Sequence, residues 1–309
     1  MPSHNPAIRR IGEQSDILGE CPIWHDEQHA LYWVDIRQPA IRRFDHASGV
    51  VHTWPMPELV GSIAFASDGR LVVALAESIS LFEVATGALE PIAKPPVRIP
   101  GHRFNDGRCD RHGRFWVGTM HNITRAPEGA LFRLEGRGEL VEQMSGICIP
   151  NSLAWSPDGR TMYFADSLLH TIFAYDYDMA MGRMGPRRVF TTTQPPGFPD
   201  GSTVDADGFL WNAEFNAARV VRYAPDGRID RVIELPVKRP TCCAFGGPLL
   251  ETLYITTASQ QLTSEELRAQ PLAGALLAVD VGVRGLPEPR FALKPTTAQP
   301  SANLRDLNP

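Results

Sequence analysis

Apolar residues in this chain come in short bursts cut by polar or glycine-containing turns, and almost nowhere at the three-to-four spacing of a helix. "DGRLVVAL", "HGRFWVGTM", "DGRTMYFAD" and "DGFLWNAEF" show the form: a tight turn, then a run rich in β-branched and aromatic residues. One short helix is predicted, Thr263 to Ala269, with Thr263 or Ser264 as its cap and Glu265 and Glu266 in its first turn.

The turn-plus-strand unit repeats. It begins at His25, Ala66, Asp110, Ser156, Asp205 and Gly246, and Trp33, Val73, Trp116, Tyr163, Trp211 and Tyr254 mark equivalent points. Their separations are 40, 43, 47, 48 and 43 residues. A second series follows the first: "AIRRFD", "SISLFEV", "ALFRLE", "TIFAYD", "ARVVRYA" and "ALLAVD". This period predicts an all-β fold, a six-bladed β-propeller, in which radial stacking buries both faces of each small sheet. An irregular β-sandwich would need the two series to match by chance, and a β-helix would have shorter repeats. The units account for residues 1–309 as a single domain. The last blade's outer strand is to come from the N-terminal "AIRRIG", the C-terminal "EPRFAL", or both.

In a propeller the innermost strand of each blade lines a central channel. Reading back from the markers gives one position per blade: Glu20, Gly61, Asn105, Asn151, Asp200 and Thr241 or Cys242. This separates the two Asp-Gly pairs of "PDGSTVDADG": Asp207-Gly208 is a hairpin turn, whereas Asp200 opens an inner strand and Gly201 permits its entry bend. Taken singly, Glu20 reads as a loop carboxylate, Asp200 as a turn residue and Asn151 as a strand-entry cap. Their shared place in the repeat makes them candidate ligands. Two anions in one confined place call for neutralisation, and an all-oxygen set suits Ca²⁺, Mg²⁺ or Mn²⁺, with Zn²⁺ also possible. Arg103 and Asn105 share a strand face and suit a polyhydroxylated ligand. His102 faces away, Asp106 reads as a turn residue within "NDG", and Ser62 and Ser152 read as partners of the backbone.

Composition narrows the partners. The 309 residues are 43% hydrophobic and 21% charged, with a formal charge of −5 and no basic run, so neither nucleic acid nor an anionic membrane is expected. Five cysteines, an odd number with Cys242 and Cys243 adjacent, make a poor disulfide framework and point to a reducing, cytoplasmic setting. "MPSHNPAIRR" lacks the apolar region of a signal peptide, and no apolar stretch approaches the ~20 residues of a membrane span.

"LGECPIW", "HRFNDGRCDRHGRFWVGTM", "IPNSLAWSPDGRTMYFADS", "FPDGSTVDADGFLW" and "RPTCCAFGG" together resemble the blocks of the gluconolactonase, regucalcin and luciferin-regenerating-enzyme family, in order from Gly12 to Pro289. The resemblance implies a propeller with one divalent metal ion in its channel and hydrolysis of a small sugar lactone to the aldonic acid. Glu20, Asn151 and Asp200 match the metal ligands, Asp200 also the general base, and Arg103 and Asn105 the sugar-contacting pair. Some members carry a glutamate where this chain has Ile123, and His121 and Asn122 beside it become candidate substrate selectors. Cys21 stands where glycine is frequent. The chain lacks a GxSxG elbow and an HExxH helix. Metal polarisation of the carbonyl, with metal-bound water and Asp200 as base, supplies what an acyl-enzyme route would need. The alternative function is a calcium-binding or regulatory propeller without turnover.

Overall fold

The predicted hairpins close because glycine takes a positive φ in them: Gly69, Gly113, Gly159 and Gly208 sit at +91°, +79°, +69° and +87°. In a computed structural model of the chain, which describes residues 7–294, the strands form six four-stranded antiparallel sheets. The inner strands are Gly19–His25, Val60–Phe65, His102–Cys109, Pro150–Trp155, Phe198–Val204 and Pro240–Gly246, one per blade, each packed against the next around the axis. The described residues therefore build the expected six-bladed propeller. Residues 1–6 and 295–309 of the expected single domain lie outside them.

Strand Ile8–Ile11, from "AIRRIG", pairs with Leu276–Asp280 and completes blade 6. "EPRFAL" does something else. The segment around it crosses the end of the channel where the inner strands finish. Backbone bonds join Ala206 to Arg284, Gly285 to Leu250, Phe291 to Phe65 and Ala292 to Gly113, at 2.7–2.9 Å. These contacts reach blades 5, 6, 2 and 3, so the strap spans that face. The end where the inner strands begin is left open.

The buried side chains fall into six apolar clusters, one between each pair of adjacent blades. Successive residues of a strand face opposite neighbours, which is why the strands read as continuous apolar runs. The clusters also correct the repeat. Trp116, Tyr163, Trp211 and Tyr254 all face the following blade. Trp33 and Val73 face the preceding one, and Tyr32 and Val72 hold the equivalent place. A slip of one residue changes face. The helix spans Ser264–Ala269, with Thr263 and Glu266 forming a reciprocal cap.

Buried aspartates anchor the tryptophans of three blades: Asp16 accepts from Trp33, Asp110 from Trp116 and Asp205 from Trp211. Asp205 and Asp110 are the best supplied, with five donors each, and Asp205 shows the pattern. Its Oδ1 takes the amides of Asp207 and Phe209 at 3.0 Å, and its Oδ2 takes Trp211 Nε1 at 2.9 Å and Arg222 Nη2 at 2.7 Å. Replacing it by alanine strands several buried donors at once. Asp205→Ala is expected to cost about 3 kcal/mol or more, a fall in Tm of about 5 °C in a chain this long. A melt within a degree of wild type would deny the network that weight.

Candidate active site in the propeller channel

Every inner strand breaks register near its entry: after Glu20, Val60, Phe104, Asn151, Pro199 and Pro240. Such bulges set two residues against one and re-aim side chains. They bring Glu20, Asn105, Asn151 and Asp200 onto the lining of one cavity at the open end. The other two ring positions are otherwise engaged. A Cβ on Gly61 would lie 2.4 Å from the Phe104 carbonyl oxygen, and Thr241 donates its hydroxyl to the Gly19 carbonyl. Gly201 does not serve an entry bend. It lacks a positive φ, and a Cβ there would lie 2.2 Å from Cys242 Sγ, so close packing of blades 5 and 6 requires it.

Of the seven predicted site residues, Glu20, Arg103, Asn105, Asn122, Asn151 and Asp200 line this cavity, whose free volume is about 130 Å³. A run of hydrogen bonds fixes one wall. Arg103 donates to Asn122 Oδ1 at 2.9 Å and to Asn105 Oδ1 at 2.7 Å. Asn105 Nδ2 donates to Asn151 Oδ1 at 3.0 Å, Asn151 Nδ2 to Ser167 Oγ at 2.8 Å, and Ser167 to the Pro199 carbonyl at 2.7 Å. His121 lies outside the lining. Its Nδ1 accepts the amides of Ile123 and Thr124 at 3.3 and 3.1 Å and so pins the turn that follows. Ile123 itself is 80% exposed.

The two carboxylates stand apart from that network. Among the described residues neither Glu20 nor Asp200 has a side-chain cation within ion-pair distance, and Glu20 accepts only the neighbouring Cys21 amide, at 3.1 Å. Burial, then repulsion from Asp106, pushes the Glu20 carboxyl up to about 8. Burial, then Glu20 and Asp106, pushes Asp200 well above the ordinary carboxylate range. Burial also holds Arg103 down to about 10.

Asp106 was not foreseen. It is no turn residue but a half-buried member of its inner strand, and its Oδ2 accepts the Leu153 amide, freed by the blade 4 bulge, at 2.9 Å. It follows a ring position just as Cys21, Ser62, Ser152, Gly201 and Cys242 do, and that second register was the signal. Ser152 bonds Ser202 Oγ at 2.6 Å rather than backbone, and Ser62 Oγ has no partner among the described residues. Cys21 points away from the cavity toward the Ile63 carbonyl, and burial raises its thiol, leaving it inert.

The donors that converge here are hard oxygens, two of them on carboxylates with no cation in ion-pair contact among the described residues. Asn151 Oδ1, already accepting one bond, keeps a second lone pair. The set fits a hard divalent cation.

A profile described as the SMP-30/gluconolactonase/LRE-like region matches residues 18–259. The chain belongs to this family. Among its relatives, a 6-deoxy-6-sulfogluconolactonase of Pseudomonas putida is 36% identical over 93% of this chain and 99% of its own. An L-arabinolactonase of Azospirillum brasilense is 36% identical over 92% and 95%. The crystal structure of a calcium-binding protein, regucalcin, from Agrobacterium tumefaciens superposes with a TM-score of 0.89 at 32% identity, covering 93% of this chain and 97% of that one. Family membership thus agrees with the blocks recognised in the sequence and with the propeller they build.

Proposed function

We propose that the open cavity is the active site of a sugar lactonase that works with one divalent cation held by Glu20, Asn151 and Asp200. The chain is an enzyme of the lactonase type. The observation that carries the site assignment is the convergence of a buried carboxylate, Asp200, and a half-buried one, Glu20, neither with a cation in ion-pair contact among the described residues, and an Arg-Asn pair on one solvent-open cavity.

A lactone is an ester, so its hydrolysis needs an activated water and a place for negative charge at the carbonyl oxygen. A divalent cation, when bound, supplies Lewis-acid polarisation and makes nearby water more acidic. Asp200 takes the proton from the attacking water on a carboxylate oxygen. Arg103 donates to ring hydroxyls from Nη2, which its bonds to Asn122, Phe104 and Asn105 leave free. Asn105, whose amide hydrogens go to Pro150 and Asn151, accepts from them on Oδ1. Together they hold the carbonyl side toward Glu20 and Asp200. Asn122 fixes Arg103 through the 2.9 Å bond to its Nε. The five cysteines are all unpaired, which suits a reducing cytoplasm.

Proton release from a panel of pentono- and hexonolactones tests this reading, using metal-stripped protein with Ca²⁺, Mg²⁺, Mn²⁺ or Zn²⁺ restored singly. Hydrolysis above the spontaneous rate is expected only with a cation present. Cation binding without turnover of any lactone would leave a non-catalytic binder instead. The relatives' names span a sulfonated hexonolactone and an unsubstituted pentonolactone, so they leave the substrate's charge open.

A further inference from the structure

Three guanidinium groups line the cavity with the site residues: buried Arg103, half-buried Arg37 and exposed Arg125. Of the other buried arginines, Arg239 bonds amide and carbonyl oxygens, whereas Arg42 and Arg222 have carboxylate partners, in Arg42–Asp16 at 2.6 Å and Arg222–Asp205 at 2.7 Å. Among the described residues Arg37, Arg103 and Arg125 have none. They also repel one another. Arg37 is held below its ordinary value by burial and then by Arg125, and Arg103 by burial and then by Arg37. Arg239, bonded to Asn216 at the same rim, is lowered too, with Arg125 again a contributor.

The rim arginines are held in place. Asp35 Oδ1 accepts the amides of Arg37 and Gln38 at 2.9 and 3.0 Å, fixing the turn that presents Arg37. His121 does the same for the turn presenting Arg125, which sits at φ +54°. Positive charge is thus built into two different blades at the mouth of one cavity. Neutralising Glu20 and Asp200 with a divalent cation would leave this cationic wall unbalanced. Sugar hydroxyls do not require it, because Asn122, Asn216, Gln260 and Gln261 already line the mouth with neutral amides.

We infer that the substrate is a sugar lactone bearing an anionic group, a sulfonate, phosphate or carboxylate, at the end remote from the lactone carbonyl, where Arg37 and Arg125 receive it. This rests on the lactonase reading and adds the substrate's charge to it. Arg37 and Arg125 are specificity-determining residues on this view, outside the bond-breaking chemistry.

The test compares hexonolactones of one ring size with a neutral, sulfonated, phosphorylated or carboxylated sixth carbon. At least one anionic lactone is expected to exceed the neutral one in kcat/KM by about ten-fold or more, the scale of a charge-assisted contact. The preference should shrink in high salt, and the anionic-to-neutral ratio should fall about ten-fold in Arg37→Gln and in Arg125→Gln. The best of the three anionic arms names the group. A neutral lactone hydrolysed as fast as all three overturns the inference and leaves the lactonase reading intact. If no lactone is hydrolysed, the lactonase reading falls, and calorimetric titration of glucitol 6-phosphate against glucitol decides the inference separately. Tighter binding of the phosphate, weakened in the two variants, supports it, and equal affinity overturns it.

Discussion

Asp200→Asn, saturated with a divalent cation, is expected to hydrolyse sugar lactones about a thousand-fold more slowly than wild type, the loss typical of a missing general base. The same variant stripped of metal is expected to melt at a higher temperature than stripped wild type. Both results have one cause. Asp200 is a buried carboxylate facing Glu20 and Asp106, with no cation paired to it among the described residues, so without metal its charge opposes folding. The amide keeps the shape and removes the charge. It also removes a proton acceptor and weakens a ligand. Rate assays with saturating cation and thermal melts in chelator read the two halves separately. Unchanged turnover would strip Asp200 of its role as base and ligand. A lower metal-free Tm would mean that the native fold compensates this carboxylate without a cation.

Why so much of this site could be read from sequence is itself structural. A propeller repeats its geometry with each blade, so four residues far apart in the chain, Glu20, Asn105, Asn151 and Asp200, could be aligned by turn spacing alone, and they do line one cavity. The misreadings lie where that spacing carries less information. Trp33 and Val73 were set one residue out, because both faces of these strands are apolar and polarity gives no register. Asp106 looked like part of a turn because Asn-Asp-Gly is turn chemistry, whereas a bulge uses it inside a strand. Gly201 was assigned to backbone freedom when its neighbour Cys242 demands its small size. Arg37 and Arg125 went unnoticed because they sit on turns outside the repeat, and only folding brings them to the same mouth. Ring closure by the N-terminal segment, the C-terminal one or both was left open by composition, and blade pairing chose the N-terminal strand alone.

Chelation of the wild-type protein is expected to abolish lactone hydrolysis and lower the Tm, with both restored by a single type of divalent cation. At a hundred-fold excess over its dissociation constant, a cation that binds only the folded state adds about 2.7 kcal/mol, about 4 °C for a chain of this size. The donor chemistry bears on which cation serves. The groups proposed to hold the ion are all oxygens, from Glu20, Asn151 and Asp200, and the thiol that follows Glu20, Cys21, turns to the Ile63 carbonyl instead. Without a thiol or imidazole in the lining, and with only the weakly ligating thioether of Met120, soft-metal affinity has little structural support, so Ca²⁺, Mg²⁺ or Mn²⁺ should restore stability at least as well as Zn²⁺. The Glu20→Gln, Asp200→Asn double variant provides the control. It retains Asn151 and the Arg103 wall but has lost the buried negative charge that attracts the ion, so its Tm should be high and indifferent to chelator and cation alike. A double variant still stabilised by the cation as strongly as wild type would locate the ion elsewhere in the molecule. Lactone hydrolysis would then have to be explained without Glu20 and Asp200.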